Sequence, residues 1–254
     1  MKKVLSVFEL LTRNTIYQIL LVLVAMGAME IYRFSVKMQE LLNLGMQADY
    51  RAGYSLEQIV ELSDIDGWFG LAFVFVTVIL CLNTCNLGSV QSYTIKRLQL
   101  TETQIFWIQS VYNAMCYILL WGVQLFLLLG MSYLFLVQEV ETTNQTVFLA
   151  FYRNDFMHSI LPMEEGMRWL ANICMILSIS VATAAVPFLQ RRGKFAIEAV
   201  IVAGILIVGF SKELGDVTVY IMMFIAMNIA LIAGSRVYKT KTEEWKGNSY
   251  EKNK

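Results

Sequence analysis

Histidine, proline and charge are all scarce in this 254-residue chain. The single histidine, His158, excludes any site that needs two imidazoles. Two prolines, Pro162 and Pro187, leave no room for proline-rich linkers or a collagen-like repeat. Charged residues make up 16% of the chain, against about 25% in a soluble globular domain. The 20 basic and 20 acidic residues cancel, which removes any general case for nucleic-acid binding. Catalytic signatures are missing as well: there is no H-E-x-x-H zinc motif and no G-x-S-x-G elbow. The sequence GSRVYKT at 234–240 lacks the glycine that precedes the lysine of a phosphate loop, so nucleotide binding is not expected there. Cys81, Cys85, Cys116 and Cys174 each lie inside an apolar run and read as small hydrophobes, not as a disulfide framework. Cys81 and Cys85 share a helical face, but no further ligand at suitable spacing joins them to make a metal site.

Apolar residues are what the chain has in excess: 57% are hydrophobic and the mean hydropathy is +0.56. That is more than one soluble core buries, and it points to a protein embedded in a bilayer. A helix needs about 20 apolar residues to cross roughly 30 Å of hydrocarbon. Runs of this kind predict six spans, at 15–32, 68–90, 104–137, 169–190, 195–210 and 218–237. The fifth is short and begins beside Glu198; Lys212, Glu213 and Asp216 separate it from the sixth.

Charge gives an independent reading of orientation. With the N-terminus inside, 14 of the 20 Lys and Arg residues fall on the cytoplasmic side, while 14 of the 20 acidic residues fall outside. The excess of cytoplasmic Lys and Arg is the bias that sets topology, so both termini are expected in the cytoplasm. Ahead of the first span, residues 1–14 place Val4, Val7, Phe8 and Leu11 on one helical face and Ser6, Glu9 and Arg13 on the other. This predicts an N-terminal interfacial amphipathic helix, and Glu9 within it argues against a cleaved signal peptide. The expected organisation is thus an all-α integral membrane protein: interfacial helix 1–14, six-span domain 15–237 and cytoplasmic tail 238–254.

Polar residues inside the spans are the remaining internal clues. Asn83 lies near the inner end of span two, Asn113 and Gln124 in span three, Ser178 in span four and Asn228 in span six. Such groups are costly in lipid and face either the bundle or a water-filled path. They are candidates for a substrate route or for hydrogen bonds between helices. Glu198 is placed to pair with the basic cluster Arg191, Arg192 and Lys194. Phe148, Phe151, Phe156, Ile160 and Leu161 predict an apolar helix on the outer surface within 138–167, and Val36, Leu41, Leu42, Leu44 and Met46 another within 34–67.

The inner loop between spans two and three carries more than a connection requires. It reads QSYTIKRLQLT at 91–101, and Thr101 with Gln104 has the spacing of a capping box that starts a helix at Glu102. Lys96, Arg97, Leu98, Leu100, Thr101 and Glu102 combine basic and apolar side chains beside that helix start, a pattern fit to dock on a cytoplasmic partner. The stretch YTIKRLQLTETQIF at 93–106 resembles the loop after the second helix of ABC-2-type transporter permease subunits. That family shows a basic residue, then Leu-Pro-aliphatic-Ser/Thr, then a polar turn. Arg97, Leu98, Leu100 and Thr101 match the pattern, while Gln99 stands where the proline would be.

The resemblance implies a coupling helix, with Lys96, Arg97 and Glu102 contacting a cytoplasmic ABC ATPase subunit. It further implies a second permease subunit, as a homodimer or a paired heterodimer, in a plasma membrane of bacterial type. No cofactor would be bound by this chain itself; ATP would enter through the partner subunit. The cargo would be peptide, lipid or a drug-like amphiphile. The alternative from another class is a non-transporting membrane scaffold or immunity protein that binds an amphipathic peptide.

Overall fold

The computed structural model describes residues 2–47, 55–85, 101–138, 144–163, 165–190, 193–211 and 215–251. All the elements among them are helices: α1 (Lys2–Gln47), α2 (Leu56–Leu62), α3 (Ile65–Cys85), α4 (Glu102–Gln138), α5 (Asn144–Arg153), α6 (Asp155–Ile160), α7 (Gly166–Gln190), α8 (Glu198–Ser211) and α9 (Asp216–Glu251). Five of them, α1, α3, α4, α7 and α9, are long and apolar enough to cross a membrane. Outward faces among them remain apolar: Val24, Phe126 and Leu231 are between 69% and 74% exposed. So large an apolar exterior is foreign to a soluble monomer and compatible with a multi-pass membrane protein.

The bundle is organised around α7, which packs on α3, α4, α8 and α9, with α1 set against α3 and α4. Small side chains make that central position possible. Ala182, Ala184 and Ala185 of α7 are buried, and Ala226, Ala230 and Ala233 form a buried stripe on α9, the neighbour it contacts most. Without a hydrophobic force between helices in lipid, such residues let backbones approach and gain dispersion contacts. Gly193, at φ 66°, then ends α7: its N–H reaches Gln190 O at 3.0 Å, and Lys194 N–H reaches Leu189 O at 3.0 Å. This is the paired bonding of a Schellman cap, and glycine adopts its left-handed backbone without a Cβ penalty.

Three elements depart from the sequence expectation. The break expected between an interfacial helix and the first span is absent, since α1 runs unbroken for 46 residues, about 69 Å. Its first turns pack inward: Val7 and Leu11 are buried, and the Phe8 ring meets Tyr112 edge-on at 5.3 Å. The same helix continues past Tyr32 because Phe34, Met38 and Leu41 keep an apolar stripe at helical spacing. The expected fifth span, α8, has 14 residues, about 21 Å, which is shorter than the hydrocarbon is thick. The helix expected over 218–237 continues as α9 to Glu251.

The predicted outer helix over 138–167 is found as the pair α5 and α6, with Phe151, Phe156 and Ile160 buried. α6 packs on α8, and α5 reaches α2. Asn154 caps α6, its Oδ1 accepting from Met157 N–H at 3.0 Å. Phe69 of α3 is the hinge pin of this region. Its ring lies 6.4 Å from Phe73, 5.7 Å from Phe156 of α6 and 5.9 Å from Phe210 of α8. Phe69→Ala therefore loses ring contacts to two other helices, α6 and α8, and to Phe73 of its own, and is expected to cost about 3 kcal/mol or more. Thermal unfolding of the detergent-solubilised protein reads this as a lowered midpoint, with Phe126→Ala on the exposed face leaving it unmoved.

Candidate functional site

One end of the bundle is built where α4 begins and α7 and α9 come together. Thr101 N–H donates to Gln104 Oε1 at 3.1 Å, and Gln104 N–H donates to Thr101 Oγ1 at 3.3 Å. The capping box read from sequence is therefore in place, with Glu102 in the first turn, where a negative charge suits the helix dipole. Lys96, Arg97, Leu98 and Leu100 lie outside the described residues. One turn into α4, Phe106 is buried and packs edge-on against Phe188 of α7 at 5.8 Å. Trp107 turns outward and its Nε1–H donates to the Tyr238 hydroxyl of α9 at 2.9 Å. Phe106, Ala184, Ala185, Phe188, Leu189, Ala233 and Val237 close this end as a cluster separate from the main core.

Beside it, Glu198 opens α8 and pairs with Arg236 of α9. Arg236 also donates Nη2 to Phe195 O at 3.3 Å. The sequence placed Glu198 with the nearby cluster Arg191, Arg192 and Lys194; Arg191 and Arg192 lie outside the described residues, and the structure pairs Glu198 with Arg236, 38 residues away. Helix packing brings α9 to the start of α8, whereas Lys194 points to the exterior and is exposed. A shallow cleft of about 610 Å³ lies over this pair, walled by Lys194, Phe195, Ile197 and Ile201.

The polar residues of the spans sort into two kinds. Asn113 and Gln124 bridge helices: Asn113 Nδ2 donates to Thr183 Oγ1 of α7 at 2.9 Å, and Gln124 Nε2 donates to Glu30 Oε2 of α1 at 3.0 Å. Ser178 and Asn228 instead bond their own helices, to Cys174 O and Phe224 O, each at 2.7 Å. The Asn83 side chain lies outside the described residues. Two further bridges reach α4: the Tyr112 hydroxyl meets Thr15 of α1, and the Tyr117 hydroxyl meets Thr77 of α3 at 3.0 Å.

At the opposite end of the bundle, Arg168 is buried and held by Ser159 Oγ at 3.4 Å and by Asp216 at 3.7 Å. Asn172 Nδ2 donates to Ser159 O at 2.9 Å, and Trp169 Nε1–H donates to Pro162 O at 2.7 Å. These bonds fasten α6 and the turn after it onto α7. Among the described residues no three His, Cys, Asp or Glu side chains gather as a metal site would require.

Among the described residues, Glu30 and Arg168 are the buried side chains of the Asp, Glu, Lys and Arg type, and no motif marks them. For Glu30 the available signal is a lone acidic residue inside the apolar run 15–32. Comparison with protein families, curated proteins and solved structures gives no match to this chain. The Glu198–Arg236 pair supports a direct test of the packing of α8 on α9. Arg236→Met leaves the largely buried Glu198 carboxylate unpaired and is expected to cost about 2 kcal/mol. Adding Glu198→Gln to the same chain should recover most of it in thermal unfolding, because neither charge is then stranded.

Proposed function

We propose that the chain is the membrane-spanning permease subunit of an ABC-2-type exporter in a bacterial plasma membrane. The observation that carries the reading is the capping box at Thr101 and Gln104, which opens a 37-residue helix directly after the basic loop. At about 55 Å, α4 is far longer than the hydrocarbon, so its first turns have length to stand in the cytoplasm, where an ATPase could grip them. The packing of Phe106 and the Trp107–Tyr238 bond tie that end to α7 and α9, which makes it a lever on the bundle and not a loose loop.

In this reading two permease subunits enclose a route, with α8 as a sixth, short membrane segment and both termini cytoplasmic. Two ATPase subunits dock on the 91–101 segments through Lys96, Arg97 and Glu102. Closure of the ATPases on ATP pulls on the start of α4, tilts it against α1 and α7, and exchanges access between the two faces. ATP hydrolysis belongs to the partner chain, and the cargo is an amphiphile of peptide, lipid or drug-like chemistry.

Gentle detergent extraction from native membranes, followed by mass spectrometry, tests this reading. A stoichiometric ATP-binding subunit is expected with the unaltered chain. Lys96→Glu with Arg97→Glu is expected to abolish its copurification while leaving the thermal midpoint of the permease in place. Retained ATPase and full export in the double variant would remove the role of the loop, and recovery of the chain alone from native membranes would favour the scaffold or immunity alternative.

A further inference from the structure

Glu30 lies on the core-facing side of α1, and neither it nor Gln124 of α4 has any exposed surface. Gln124 is the single hydrogen-bond partner of Glu30 among the described residues, through Nε2–H to Oε2 at 3.0 Å. Two oxygens of this contact are left without a donor, Glu30 Oε1 and Gln124 Oε1. They sit on the free corners of the same two planar groups.

A carboxylate brings only acceptors to such a contact, whereas a carboxylic acid brings one O–H donor. An ionised Glu30 would leave a charge in a dry helix contact, with one amide bond to offset several kcal/mol of desolvation. Among the described residues no cation answers it. On α1, Arg33 is exposed and Lys37 pairs with Glu40. The helices packed on α1 carry Glu57 and Glu61 on α2, Asp66 on α3, and Tyr112 and Tyr117 on α4, the last two bonded to threonines. None of them makes a hydrogen bond or an ion pair with Glu30.

We propose that Glu30 and Gln124 form a proton-binding site inside the membrane, Glu30 holding a proton on Oε1 and donating it to Gln124 Oε1. Each planar group then gives and accepts one bond, and the two unpartnered oxygens satisfy each other in a closed acid–amide ring. Loss of the proton to water breaks the Oε1–H bond, leaves the electron pair on the carboxylate and reopens the ring. A charge in that position is tolerable only when α1 moves off α4 and water enters, so proton occupancy and α1–α4 contact rise and fall together. The site is independent of the ATPase-docking loop and stands whether or not the chain is a transporter.

The full chain in nanodiscs tests the site by infrared spectroscopy and by unfolding. The wild-type protein at neutral pH should show the deuterium-sensitive carbonyl stretch of a protonated carboxyl group, lost in Glu30→Gln and displaced in Gln124→Leu. Glu30→Gln keeps a ring, now amide to amide, so it should fold with a midpoint near that of wild type. Absence of the carboxyl band in the wild type overturns the proposal. So does a Glu30→Gln variant that fails to fold or unfolds as readily as Glu30→Ala, since a carboxylate role would make the two substitutions alike.

Discussion

Hydrocarbon offers no hydrogen-bond partner, so every polar side chain carried into it must find one within the protein. In this molecule four such contacts end on α4. Tyr112 meets Thr15, Tyr117 meets Thr77, Asn113 meets Thr183, and Gln124 meets Glu30. Through them a single helix is bonded to α1, α3 and α7. Apolar packing fills the space between these points, but dispersion contacts alone leave helices free to slide. The polar bridges fix the rotation and height of α4 against its neighbours, and so give the bundle one register.

The same constraint separates the two ends of the molecule. At the end where α4 begins the polar bonds are few and lie at the rim, between Trp107 and Tyr238 and between Glu198 and Arg236, around an aromatic and alanine cluster. At the opposite end Arg168 donates to the Ser159 hydroxyl, Asn172 to the Ser159 backbone oxygen and Trp169 to that of Pro162, which fastens α6 over the bundle. A push on the start of α4 is therefore resisted chiefly in the middle, where the α4 bridges lie.

Span positions were legible because apolar runs bounded by charge are a one-dimensional signal. The expected 169–190 and 104–137 differ from α7 and α4 by no more than three residues at either end, and the Thr101 cap was readable as a local pattern. The ends of α1 were not legible in the same way. Arg33 and Lys37 end the apolar run, but a charge ends only the buried stretch, while a helix continues until its backbone bonds are interrupted. Partnerships were the least legible. Glu30 finds Gln124 across 94 residues and Glu198 finds Arg236 across 38, distances at which neighbours along the chain say nothing about neighbours in space.

The brevity of α8 has a consequence for the surrounding lipid. At 14 residues it falls roughly 9 Å short of an ordinary hydrocarbon layer. α6, packed on α8 with Phe156 and Ile160 buried, stands beside that deficit on one flank of the bundle, while α9 on the other side of α8 is long. In the proposed six-span arrangement, lipid beside α8 would have to thin along that one arc, and elastic strain would favour setting the arc against a second short surface or a thinner patch of membrane.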